Sequence, residues 1–156
     1  MFPLSKRVDI PRAGHPGSFG FRRKNHIHEG IDLYGNPGDP VYAIQSGYVL
    51  TSYPFTGEQV GMPWWHNTDA IAIADENGTW VYGEMEVERL TPGTYVNEGD
   101  IVGYLKTVLK KDKGRPMTML HIERWKPEYI PHTMLWQLDQ PQPDFLIDPT
   151  ELLEVL

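Results

Sequence analysis

Glycine or proline interrupts this chain too often for a long helix to form. Fifteen Gly and fourteen Pro are spread over 156 residues, and each tends to turn or break a regular element. Between the breaks lie short runs rich in Val, Ile, Tyr and Trp, residues that suit a pleated, half-buried surface. The combination predicts one predominantly β domain over residues 1–156, long enough for a sizeable core. Residues 1–18, punctuated by Pro3, Pro11, Gly14, Pro16 and Gly17, read as an irregular arm that wraps the domain or walls a cleft. A core over 19–125 and a C-terminal extension over 126–156 complete the division.

Read in order, Pro40 to Ile44 and Gly47 to Thr51 form two short strands, with Gln45-Ser46 as a tight connection, a hairpin or a bulged turn. Residues 52–69 carry Pro54, Gly57, Gly61, Pro63 and the pair Trp64-Trp65, and read as a loop insertion. Asn77-Gly78 between two apolar runs is a strong hairpin signal. Further strands are predicted at 101–105 and around His121, after a polar loop over 110–115. Asp148-Pro149-Thr150-Glu151 predicts the start of a short C-terminal helix.

Charge narrows the partners. A net charge of −7 and a pI near 5.3 oppose binding to nucleic acid, which needs a basic surface. The basic runs Arg22-Arg23-Lys24 and Lys110 to Lys113 read as solvated loops. Without cysteine there are no disulfides and no thiolate metal sites. No run approaches the ~20 apolar residues of a membrane span. The first residues show no signal peptide, so cytoplasmic synthesis is expected.

The chemistry concentrates between Asn25 and Gly38. His28 and Asp32 offer an imidazole and a carboxylate, both ordinary zinc ligands. On an unbroken strand residues four apart lie roughly 13 Å from each other, too far to share an ion. Gly30 and the Pro37-Gly38 turn argue against a helix. A bent loop entering a strand is the remaining geometry, with Gly30 permitting the bend. A third ligand is available in His121, where apolar and polar residues alternate from Met119 to Glu123 as on a half-buried strand. His15 and His26 read as surface or supporting histidines, and His66 as a candidate substrate contact.

These pieces together resemble the lysostaphin-like (LytM-like) zinc metallopeptidases, which cut peptide bonds in bacterial peptidoglycan. The resemblance rests on His28-x-x-x-Asp32, then Pro40-Val41-Tyr42-Ala43 and Gly47-Tyr48-Val49. Tyr82-Gly83-Glu84, Val96 to Gly103 and the His121 strand follow in the family's order, and Asp148-Pro149-Thr150 looks like its usual ending. It implies an antiparallel barrel-sandwich of the duplicated hybrid motif type, with long loops. It also implies one Zn2+ held by His28, Asp32 and His121, and a peptidoglycan peptide as substrate. The family's two other catalytic histidines fall on Glu84 and Met119. Methionine moves no proton, whereas a glutamate beside zinc can act as general base, so Glu84 is the candidate catalytic residue. Glu123, Tyr82, His26, Trp64 and Trp65 are candidates for supporting a ligand or touching substrate.

Two alternatives stand beside this reading. One is an inactive zinc-binding pseudopeptidase used as a structural or cell-wall-binding module. The other is a lipoyl or biotinyl carrier, which Val96 to Gly103 also resembles, with Lys113 as the modified residue. An active enzyme would act at the cell envelope by a non-classical route: phage lysis, a virion component or a secreted effector.

Overall fold

The computed structural model describes residues 1–111, 114, 117–127 and 135–156. Lys113 and part of the predicted polar loop lie outside the described residues. The fold is mainly antiparallel β structure: β1 Ile31–Tyr34, β2 Pro40–Tyr42, β3 Gly47–Thr56, β4 Thr68–Asp75 and β5 Gly78–Val87. After these come β6 Tyr95–Val96, β7 Ile101–Leu105, β8 Met119–Trp125, β9 Leu146–Ile147 and the short helix α1 Thr150–Glu154. The strands join in one sheet in the order β1-β8-β5-β4-β3-β6, with β7 on the far end of β5, β2 on β7 and β9 on β8. No described helix is long and apolar enough to cross a membrane.

Alternation along each strand gives the sheet two different faces. Ile31, Leu33, Trp80, Tyr82, Leu120 and Ile122 point into the main core. Ala70, Ala72, Val81 and Trp125 point to the other face, in a smaller apolar cluster. Asp32, His121 and Glu123 alternate with core residues of β1 and β8, so they belong to this second face.

The Asn77-Gly78 hairpin forms as predicted, joining β4 to β5 with Asp75 opposite Gly78. The Asp148 carboxylate accepts the Thr150 backbone N–H at 2.9 Å, and α1 follows. Two expectations need correction. Gln45-Ser46 is not a hairpin turn, because β2 pairs with β7 and β3 pairs with β4 and β6. The loop expected over 52–69 is shorter, because β3 runs through Pro54 to Thr56 and β4 starts at Thr68. The ladder tolerates Pro54 beside a register shift, between Pro54 and Thr56.

Strand β5 changes partner partway along. Thr79 to Gly83 pair with β8, and Met85 to Val87 pair with β7. Glu84 sits at the change. On the opposite edge Gly83 and Glu84 together face the single Ala70, since Ile71 pairs with Tyr82 and Asp69 with Met85. This is a β-bulge, and Glu84 takes the left-handed conformation at φ 65°.

Candidate metal centre

Three donor atoms converge on the second face. Strand pairing sets Asp32 directly opposite His121. His28 is turned back over them by Glu29-Gly30. The distances are 3.2 Å from His28 Nε2 to Asp32 Oδ1, 3.1 Å from His28 Nε2 to His121 Nδ1 and 3.0 Å from His121 Nδ1 to Asp32 Oδ1. A tetrahedral zinc with arms of ~2.0–2.1 Å separates its ligand atoms by about 3.3 Å, so the triangle nearly matches one face of that tetrahedron.

The outer hydrogen bonds decide which nitrogens are free. His28 Nδ1 donates to the Ser18 carbonyl at 2.8 Å, and a carbonyl has no proton to return. His121 Nε2 donates to Glu123 Oε1 at 2.9 Å, while Glu123 Oε2 accepts the Trp125 indole N–H at 2.7 Å. Neutral imidazoles so held would turn bare lone pairs toward each other and toward a carboxylate, and in the metal-free site a proton between His121 Nδ1 and Asp32 stands in for the cation. Lone pairs at such distances repel unless a cation lies among them, and partners of this kind orient metal-bound histidines. The residues therefore fit a divalent ion.

The electrostatics agree. Burial raises the Asp32 carboxyl, but His28 and His121 outweigh it and hold the group well below the usual carboxylate range. Burial lowers His121, yet its hydrogen bonds to Asp32 and Glu123 carry it well above the ordinary imidazole value. Both shifts express a site that demands positive charge.

Small residues make room for the donors. A Cβ on Gly30 would lie 2.4 Å from the Ile122 carbonyl oxygen and 2.8 Å from His121 Nε2. Gly30 is thus needed for the close approach of His121, whereas the sequence reading assigned it a bend. Gly83 likewise leaves space for the Phe55 ring, and that ring stands edge-on to His121 at 5.2 Å between centroids.

Glu84 lines the same cleft. Its Oε2 is buried and has no hydrogen-bond partner. It is not among the residues whose donor atoms converge within 4.8 Å; among the described residues those are His28, Asp32 and His121 alone. Three protein donors leave a fourth tetrahedral position open, the pattern of catalytic rather than structural zinc sites. Burial first, and then the charge of Asp32, push the Glu84 carboxyl up to about 8. A divalent cation at the neighbouring donors acts in the opposite direction.

The other candidates divide. Glu123 supports His121, and His26, Met119 and Trp65 line the cleft. Burial and then Arg23 lower the His26 pKa, which favours a neutral ring. Tyr82 must be corrected: the bulge leaves it on the main-core face, where its hydroxyl accepts the Ile44 N–H at 2.9 Å. Trp64 is corrected too, being 61% exposed outside the cleft and touching Trp65 edge-on. His15 and His66 are exposed. Arg124 faces away, held by Asp75 at 3.2 Å through both terminal nitrogens.

Sequence reasoning missed Arg23. It is no solvated residue: Nη2 donates to the Pro16 carbonyl at 2.8 Å and lies 3.4 Å from Asp32 Oδ2. Phe55 was also missed, hidden within the presumed loop.

Fold and donor set together describe a β-sheet protein with two histidines and one carboxylate placed to hold a metal ion. Residues 26–130 match peptidase family M23, and the chain belongs to that family. A comparison with curated proteins finds no relative by sequence. Among solved structures, the catalytic domain of the antimicrobial peptidase lysostaphin from Staphylococcus simulans is similar, at 20% identity over 90% of each chain with a TM-score of 0.59. LytU is similar at 22% identity, over 97% of this chain and 92% of its own, with a TM-score of 0.58. A point mutant of the catalytic domain of EnpA, a prophage-encoded M23 protein of Enterococcus faecalis, matches at 22% identity over 95% of each chain, with a TM-score of 0.53. At such identities the likenesses speak for the fold.

Proposed function

We propose that the chain is a zinc-dependent endopeptidase that hydrolyses peptide bonds in the stem or cross-bridge peptides of bacterial peptidoglycan. The observation that carries the reading is the pairing of a convergent three-donor centre with a buried, unpartnered carboxylate outside the donor triangle. A bound zinc ion would polarise the scissile carbonyl and lower the pKa of the attacking water. His28, Asp32 and His121 would hold the ion, with Ser18 and Glu123 fixing the two rings. Glu84 accepts the proton of the attacking water and then returns it to the leaving amine nitrogen. One carboxylate thereby does the proton transfer for which the family uses histidines, while Met119 contributes only apolar wall.

The test is digestion of purified peptidoglycan by zinc-loaded protein, with released fragments identified by mass spectrometry beside His121→Ala. New peptide termini that disappear in the variant support the proposal and name the bond. Intact peptidoglycan of several wall types, despite stoichiometric zinc, would favour a pseudopeptidase instead.

A further inference from the structure

Among the described residues, two buried side-chain polar atoms have no hydrogen-bond partner: Glu84 Oε2 and Arg23 Nε. Both residues line the one cleft beside the metal ligands. An unsatisfied buried donor or acceptor costs about 1–3 kcal/mol, and a native group left so calls for an explanation, a catalytic role among them. Glu84 already has a role. Arg23 has none.

Arg23 is anchored at one end only. Its Nη2 donates to the Pro16 carbonyl and approaches Asp32 Oδ2, and its guanidinium carbon lies 5.9 Å from the centre of the Phe21 ring. The Nε–H is enclosed by protein without a partner, while the side chain as a whole keeps 31% exposure beside the cleft. The guanidinium is one carboxylate removed from the three converging donors, and no other described Lys or Arg lines the cleft. Met119, on the same strand face as His121, offers no donor.

We propose that Arg23 is a catalytic residue whose guanidinium donates a hydrogen bond to the oxygen of the scissile carbonyl as negative charge develops there. This rests on the peptidase reading above. As the water oxygen bonds to the carbonyl carbon, its proton passes to Glu84 and the carbonyl π pair moves onto oxygen, facing Arg23. When the carbon–nitrogen bond breaks, that pair re-forms the carbonyl, and Glu84 delivers the proton to the leaving nitrogen. Arg23 transfers no proton and remains charged throughout. A resident carboxylate on the substrate is a poorer partner for it, because Asp32, Glu84 and Glu29 already place negative charge around this cleft. Charge that appears only in the transition state is favoured, and donors aimed at such charge lower the barrier most.

The experiment compares zinc-loaded wild-type chain with Arg23→Gln, using the bond identified by peptidoglycan digestion in a soluble peptide. The expected result is a fall in kcat of about 10²–10³, with KM and zinc affinity within a few-fold of wild type. A phosphinate peptide that mimics the tetrahedral geometry should lose affinity in parallel with kcat/KM. If Arg23→Gln does not fold, Arg23→Lys keeps the charge, lacks the planar guanidinium fork, and carries the same expectation. Unchanged kcat and phosphinate affinity overturn the proposal. So does activity restored by excess zinc, which would make Arg23 a support for Asp32, or a rise in KM alone, which would make it a ground-state contact. A wild type that hydrolyses nothing removes the peptidase reading as well; a wild type matched by its variants removes only the role of Arg23.

Discussion

Glu84 occupies a backbone conformation that L-residues with a Cβ avoid, at φ 65°, and it buries a carboxylate oxygen without a partner. The first feature costs about 1–2 kcal/mol, and residues held so tend to cluster at functional sites. Glu84→Gly removes both burdens, against a glycine entropy cost of about 0.5–1 kcal/mol. The variant is predicted to melt higher than wild type while losing hydrolysis, which calorimetry and fragment release check side by side. The pH dependence has a definite sign. With the folded-state value raised from 4.5 to about 8, this group's contribution to stability in the metal-free protein is complete below 4.5 and is lost as pH rises through about 8. Melting metal-free wild type and Glu84→Gln across that window should show a flatter profile in the variant; parallel profiles would contradict the assignment. Residue type and alternation offered His28, Asp32 and His121 as a ligand set, and Glu84 entered only through the family resemblance. Arg23 was hidden in a basic run, because its flanking Arg22 and Lys24 are exposed and only the fold shows which of the three turns inward.

At the scale of elements, the centre depends on the register of β1 against β8 and on the partner change along β5. Gly30→Ala drives a methyl into the Ile122 carbonyl and the His121 ring. It is predicted to cost about 1–3 kcal/mol as overpacking and to weaken metal binding as His121 shifts, measured by melting and by competition with a chelator. Glu123→Gln keeps the shape but weakens the acceptor that holds His121 Nε2–H, and metal affinity should fall about 10–100-fold. An unchanged affinity in Glu123→Gln would mean that the β1–β8 register alone positions the ring. The Asn77-Gly78 hairpin was readable because its signal is local. The pairing of β2 with β7 was not, since Val41 and its partner Gly103 lie 62 positions apart and no local pattern reports so distant a neighbour. Tyr82, a candidate support through the Tyr82-Gly83-Glu84 motif, lies on the main-core face because Gly83 and Glu84 form a bulge that no sequence pattern reports.

Over the whole molecule, the main core lies on one face of the sheet, and the Asp32 and His121 donors lie on the other. There Pro16, Arg23, Phe55 and Trp65 line the cleft, and Phe55 packs against the apolar cluster that holds Ala70 and Ala72. A cation that binds only the folded chain must stabilise it by mass action. Zinc is therefore predicted to raise the melting temperature of wild type and to leave that of His121→Ala nearly unchanged. The central claim is that this centre is catalytic and that Glu84 is its base. Its most direct test is the single-turnover hydrolysis rate of zinc-loaded wild type and Glu84→Gln, with bound zinc counted in the same samples. The account predicts one zinc per chain in both and a rate lower by about 10²–10⁴ in the variant, the range for loss of a general base. Equal rates, or loss of zinc from Glu84→Gln, would contradict it.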